Sequence, residues 1–170
     1  LIKEIKKNHN VSLCGVGGPE IEAIGLNSNF NFNDLQIMGL VEPIIKYRSL
    51  SKKRDKLIKL FKKNRIDIFI GIDSPDFNIS IHKAMKKQQA CKTIQLVSPS
   101  VWAWRQNRIN AIKKYIDLTV CLFKFEHNFY EEVGHKSLHL GHPFNVLEKT
   151  PYDQVILKYG LSNKKKYISI

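Results

Sequence analysis

The chain has 170 residues, 43% of them hydrophobic and 25% charged, which suits one soluble globular domain with a real core. No apolar run approaches the ~20 residues of a membrane span, which argues against a helical integral membrane segment. Lys+Arg 28 against Asp+Glu 15 gives a net charge of +13, suited to anionic lipid, nucleic acid or phosphorylated ligands, and equally to a composition rich in Lys, Ile and Asn throughout.

Leu1–Asn10 reads as a lysine-rich amphipathic segment, unlike a signal peptide, so a cytosolic chain is expected. Val11–Val16 reads as a strand, closed by a Gly17-Gly18-Pro19 turn, with Pro19 in the first turn of a short helix to Ala23. Ile37–Gly39 reads as a loop, and a long basic helix covers about Pro43 to Lys63. A strand Asp67–Ile72 follows, then a helix near Phe77–Gln88, a strand Thr93–Val97 and a helix Ala103–Tyr115. Leu118–Leu122 reads as a strand, Phe125–Val133 as a helix and Ser137–Leu140 as a short strand. After the turn Gly141-His142-Pro143, Asp153–Tyr159 is helical and Tyr167–Ile170 opens another strand.

Strands alternating with helices predict an α/β fold, a Rossmann-like parallel sheet with helices on both faces. The apolar runs before Asp73 and Ser98 are short and β-branched, as in strands buried on both faces. Right-handed crossovers would put every strand's C-terminal end on one rim, where ligands of open α/β sheets bind. Residues 1–143 are expected to form one domain, and 144–170, with Pro151 and Lys164-Lys165-Lys166, a linker and the start of another. Both ends enter mid-pattern, so the chain is expected to be part of a longer protein.

Two polar turns on that rim carry the candidate chemistry. The first is Gly71-Ile72-Asp73-Ser74-Pro75-Asp76-Phe77-Asn78. A carboxylate directly after an apolar strand is expected to be partly desolvated, which favours its protonated form and makes Asp73 a candidate general base. Asp73 also suits a plain turn former, and both readings stand on local pattern. Asp76, just before Phe77, is the natural helix N-cap. The second turn, Ser98-Pro99-Ser100-Val101-Trp102-Ala103-Trp104-Arg105, holds both tryptophans. Trp102 with Arg105 suits an apolar ligand bearing an anionic group, unless one indole plugs the sheet–helix interface. Ser98 and Ser100 suit a ligand hydroxyl or a helix cap, and His142 suits a phosphate, a sugar or a hinge. Cys14, Cys91 and Cys121 show no C-x-x-C and are expected to be free thiols. The histidines show no ligand spacing, so no metal and no cofactor is expected. Gly15-Val16-Gly17-Gly18-Pro19 fits neither phosphate-loop spacing and reads as a tight turn.

The long basic helix divides in two. Met38, Leu40, Val41, Ile44, Ile45, Tyr47 and Arg48 mix apolar and basic residues, and suit either a membrane-surface patch or a helix packed on the sheet. Leu57, Ile58, Leu60 and Phe61 are expected to face the core.

The two turns, Gly141-His142-Pro143, the upstream Gly15–Pro19 string and Ile37-Met38-Gly39-Leu40-Val41-Glu42 together resemble the lipid-A-disaccharide synthase family, in order and over essentially the whole chain. The resemblance implies the N-terminal, acceptor-side half of a GT-B glycosyltransferase. It implies an inverting, metal-independent enzyme that transfers 2,3-diacylglucosamine from its UDP derivative to 2,3-diacylglucosamine 1-phosphate. It places the enzyme peripherally at the cytoplasmic face of the inner membrane of Gram-negative bacteria, on an anionic surface, and leaves the oligomeric state open. Asp73 becomes the expected base, Ser98, Ser100, Trp102, Arg105 and His142 the expected substrate contacts, and Met38–Arg48 the expected membrane contact. The family's first strand would lie before Leu1 and its nucleotide-binding domain after Ile170, so this stretch alone is not expected to turn over substrate. Another sugar-nucleotide enzyme of GT-B type, such as an epimerase, is the alternative. A nucleic-acid-binding domain rests only on the charge, shows no motif, and is not expected.

Overall fold

The computed structural model describes residues 2–35, 42–88, 90–103, 106–143, 150–162 and 165, with backbone alone over 42–47. The chain falls into two compact units, Leu1–Leu140 and Gly141–Ile170.

The first unit is α/β. Short helices α1 (Ile2–Asn8) and α2 (Pro19–Glu22) precede the long α3 (Glu42–Lys63). Then come β1 (Ile68–Ile72), α4 (Pro75–Lys86), β2 (Lys92–Leu96), α5 (Ile109–Tyr115), β3 (Leu118–Cys121), α6 (Lys124–Glu132) and β4 (Ser137–His139). The four strands form one parallel sheet in the order β1-β2-β3-β4, flanked by helices, with Phe69 opposite Thr93, Gln95 opposite Thr119 and Val120 opposite Leu138. The alternating strand–helix pattern therefore folds as the Rossmann-like class it predicts, since parallel neighbours need a long crossover.

Side chains alternate across the sheet. Phe69, Thr93, Gln95, Thr119 and Cys121 are buried on one face. On the other, Val120 of β3 is buried, while Ile68 and Ile72 of β1 and Leu138 of β4 are more than half exposed. The expected burial on both faces thus holds at the sheet's centre and not on β1 and β4, the outer strands among those described. One core cluster joins Leu57 and Phe61 of α3, Phe69 of β1, Ile81 and Met85 of α4, and Cys91. The later part of α3 is core-facing, as its spacing predicts. A second cluster joins Val101, Ile112, Ile116, Cys121 and Tyr130. At the sheet's other rim, Asp117 binds Lys86 and accepts hydrogen bonds from the backbone N–H (2.9 Å) and hydroxyl (3.1 Å) of Thr93. Burial pushes its carboxyl up, but Lys86 and Thr93 outweigh that and hold it below the ordinary carboxylate value.

Several elements depart from expectation. Val11–Val16 is not a strand: its only bridge among the described residues is Gly15 with Ser28, and an apolar run makes a strand only with a paired ladder. The helix expected at Ala103–Tyr115 is a turn through Ala103 and a 3-10 turn Gln106–Arg108 ahead of α5. Helix α4 starts at Pro75 because proline is pre-set for the first turn. That makes Asp76 a first-turn acid rather than the N-cap, paired with Arg108 at 2.5 Å. Cys91 and Cys121 are buried free thiols and Cys14 is half-buried and free; burial pushes Cys121 up to about 12. The loop expected at Ile37–Gly39 and the strand at Tyr167–Ile170 lie outside the described residues.

The second unit contains α7 (Tyr152–Tyr159), which ends at Gly160 in the left-handed conformation (φ +60°), the usual glycine stop. No helix among the described residues is long and apolar enough to cross a membrane.

Candidate functional site

The first turn is built around a reversal of the backbone. Strand β1 ends at Ile72, and Asp73 (φ +48°) and Ser74 (φ +38°) are both left-handed before Pro75 opens α4. Asp tolerates this region better than most residues, but two in succession need outside support. The Asp73 N–H donates to the Leu96 carbonyl at 2.9 Å. The Asp73 carbonyl accepts from the Asn78 side-chain amide at 2.7 Å and the Gln95 side-chain amide at 3.0 Å. Gln95 Nε2 also lies 3.2 Å from the carbonyls of Leu96 and Val97. Val97 has φ +70°, a conformation costly for a β-branched residue. One buried amide therefore ties together two left-handed residues, Asp73 and Val97, on two neighbouring strand ends.

The Asp73 side chain is exposed. The desolvation expected from its place after an apolar strand is absent, because the left-handed turn aims the chain out of the sheet. Asp73 is thus a carboxylate on a fixed backbone at the C-terminal rim.

In the second turn Ser98 is buried; its hydroxyl donates to the Pro99 carbonyl at 3.1 Å and lies 3.3 Å from the Tyr130 hydroxyl. Burial pushes the Tyr130 phenol up to about 12. Ser98 therefore supports the loop from within, while Ser100 is exposed. Val101, not Trp102, plugs the core at 1% exposure, and Trp102 is left 39% exposed. Trp104 and Arg105 lie outside the described residues.

The structure adds two residues that pattern reading missed. Phe123 and Phe125 flank Lys124 at the end of β3 and the start of α6, 48% and 49% exposed. Phe125 meets Trp102 edge-on at 4.8 Å and stacks with Phe123 at 5.7 Å. The turn between them is held by buried Glu126, which accepts from the Phe123 N–H at 3.2 Å. The three rings form an aromatic shelf on the rim that carries Asp73. The signal was the string Phe-Lys-Phe directly after an apolar strand, where a soluble surface has no packing use for two phenylalanines.

The glycine turn behaves as the tight turn expected. A Cβ on Gly17 would meet Ile21 at 2.0 Å and Leu26 at 2.9 Å, so close packing demands glycine there. Gly17, Gly18, Glu22, Ser28, Asn31 and Asn33 help line an open cleft of about 450 Å³. His142 is half-buried and belongs to the second unit. Of the expected membrane contacts, Met38, Leu40 and Val41 lie outside the described residues, as do the side chains of Ile44, Ile45 and Tyr47; Arg48 is exposed on α3. Among the described residues no three His, Cys, Asp or Glu side chains converge to hold a metal.

Two buried histidines give the unit an acid-sensitive core. His82 is held below its ordinary value of 6.5 by burial, against the opposing effects of Gln95 and Asp117. His135, which shares a 2.9 Å hydrogen bond with Thr119, is lowered by burial and by Lys113, with Asp117 opposing. Both hold a proton less readily in the folded chain, so below about pH 6.5 the unfolded chain binds more protons than the folded one. Stability is expected to be level between about pH 7 and 8 and to fall progressively as pH drops below 6.5. Melting curves between pH 8 and 5 test this, and a Tm unchanged down to pH 5 would show that neither imidazole is buried neutral.

A family model described as lipid-A-disaccharide synthetase matches residues 1–170. Curated relatives include a lipid-A-disaccharide synthase of Acinetobacter baylyi, 42% identical over 92% of this chain and 40% of that protein. A lipid-A-disaccharide synthase 2 of Legionella pneumophila is 42% identical over 89% of this chain and 40% of that protein. A lipid-A-disaccharide synthase of Pseudomonas putida is 45% identical over 84% of this chain and 38% of that protein. The chain thus spans about two fifths of the length of these relatives.

Proposed function

This chain belongs to the lipid-A-disaccharide synthetase family, and from that premise we propose that it forms the acceptor-side wall of an inverting glycosyltransferase. The whole protein would transfer 2,3-diacylglucosamine from its UDP derivative to 2,3-diacylglucosamine 1-phosphate. The observation that carries the reading is Asp73, an exposed carboxylate on a fixed left-handed turn at the carboxyl end of β1.

In the proposed step the acceptor 6-hydroxyl attacks the anomeric carbon as the bond to UDP breaks, and Asp73 takes the hydroxyl proton. Trp102, Phe123 and Phe125 would offer an apolar wall to the acceptor, with Ser98, Ser100 and Arg105 as its polar contacts; for His142 a substrate contact is proposed on the family resemblance alone. Residues 1–143 would be the acceptor-side domain and 144–170 the passage into the next. The test is acyl dependence: full-length protein should form disaccharide and UDP from the diacylated pair and leave unacylated UDP-sugars untouched. Epimerisation of an unacylated UDP-sugar would favour the epimerase alternative.

Acylated substrates reside in a bilayer, so the enzyme would work peripherally on the anionic cytoplasmic face of the inner membrane. Met38, Leu40, Val41, Ile44, Ile45, Tyr47 and Arg48 would supply the docking face, apolar groups entering the interface and the cation meeting headgroups. Ile44→Asp with Ile45→Asp is expected to weaken sedimentation with anionic vesicles at least several-fold and leave Tm unchanged. Loss of folding instead would place both residues in the core.

A further inference from the structure

Asp73 carries its carboxylate on backbone that is unfavourable by itself, and two buried polar side chains bond that backbone while a third, His82, backs one of them. Asn78 is 7% exposed, Gln95 1% and His82 0%. Asn78 sits in the first turns of α4, one face of its amide bonding the Asp73 carbonyl at 2.7 Å and reaching that of Ile72 at 3.4 Å. Gln95 reaches the same Asp73 carbonyl from the neighbouring strand. Every oxygen around Gln95 Nε2 is a carbonyl, so that atom is the donor nitrogen and Oε1 faces His82 Nε2 at 3.0 Å. Two acceptors cannot face each other, so His82 carries its proton on Nε2 and donates to Gln95. Its Nδ1 is buried without a hydrogen-bond partner among the described residues, as the neutral tautomer permits. The ring is fixed against Phe69, edge-on at 4.8 Å.

The space for this arrangement comes from Gly71. A Cβ there would lie 2.9 Å from Gln95 Oε1 and 3.0 Å from Asn78 Cγ and Nδ2. Glycine at that point in β1 leaves the room the two carboxamides occupy, and a Cβ there would press on both. A core that needed only volume would fill the site with a methyl group; this one holds two amides, each spent on the carbonyl of Asp73.

We propose that Gln95 and Asn78 are positioning residues for Asp73, clamping its carbonyl so that the carboxylate stands at one place over the rim. The proposal rests on the reading of Asp73 as the base. Neither amide is called on to touch substrate; each acts through the turn. A displacement of about 1 Å in a catalytic group can cost 10²-fold in rate, and losing one donor frees a turn that two left-handed residues make unfavourable.

The test uses full-length protein with the diacylated substrates. Gln95→Leu and Asn78→Asp remove one donor each and keep approximate size. Each folded variant is expected to lose roughly 10–100-fold in kcat with KM within about twofold. In an Asp73→Asn background, where the base is already gone, Gln95→Leu should change the residual rate little. Wild-type kcat in a folded Gln95→Leu or a folded Asn78→Asp protein would overturn the clamp. An equal loss with and without Asp73 would also overturn it, showing a structural role alone. Full activity of Asp73→Asn by itself would instead remove the base and, with it, this proposal.

Discussion

Asp73→Asn in the full-length protein is expected to lower turnover by roughly 10²–10⁴-fold, the usual worth of a positioned general base. Asn matches Asp in shape, so the acceptor pocket keeps its size. It also tolerates the left-handed region, so the φ of +48° at this position survives the change. The hydrogen bonds from Asn78 and Gln95 go to the backbone carbonyl and are indifferent to the side chain. Because the Asp73 side chain is exposed, the substitution leaves no buried group unpaired. What disappears is the capacity to take a proton. The signature is therefore a fall in kcat with KM and Tm near the wild-type values. Steady-state kinetics and a melting curve on the same preparation decide it, and a folded Asp73→Asn protein with wild-type turnover would remove Asp73 from the chemistry.

The second large effect is on folding. Met85→Ala is expected to cost about 2–5 kcal/mol, the range for emptying a fully buried site of this size. Met85 has no exposed surface and stands in the cluster formed with Leu57, Phe61, Phe69, Ile81 and Cys91. That cluster joins α3, β1 and α4, so no single element can move in to fill the hole. For a unit of 150–250 residues that melts on its own, each kcal/mol lowers Tm by about 2–4 °C. Helix α4 also carries Asn78 at its other end, so a loosened helix should reach the Asp73 turn as well. Thermal unfolding of the full-length variant measures the loss. A Tm within a degree of wild type would mean that Met85 is not at the centre of the core.

The contrast between these residues shows what pattern reading can reach. Met85, Ile81 and Phe61 are apolar at helical spacing, and burial of such a stripe follows from the hydrophobic effect alone. The strands β1, β2 and β3 fall within a residue of the β-branched runs that predict them, because parallel strands need continuous apolar sequence. Val11–Val16 has the same look and is not a strand, since pairing is decided by a neighbour and not by the run itself. Gln95 is the opposite case. A glutamine between Ile94 and Leu96 interrupts an apolar run, yet it is 1% exposed. Only the arrival of Asp73, Leu96 and Val97 carbonyls at one point makes a buried amide favourable there. Phe123 and Phe125 likewise look like the edge of a helix until Trp102 is brought beside them from another loop.

The amino-acid sequence by itself determined the parallel α/β class, the two polar turns on its rim and the family to which the chain belongs. Those properties rest on local hydrophobic period, on turn chemistry and on residue strings, all of which are read along the chain. The tertiary structure alone decided that Ser98 supports the loop from within, that Asp76 pairs with Arg108, and that Asp73 is exposed while Asn78 and Gln95 hold its backbone from beneath. Each of those depends on which groups from distant segments arrive within hydrogen-bond reach, and a buried polar side chain is placed by its partners rather than by its neighbours in sequence.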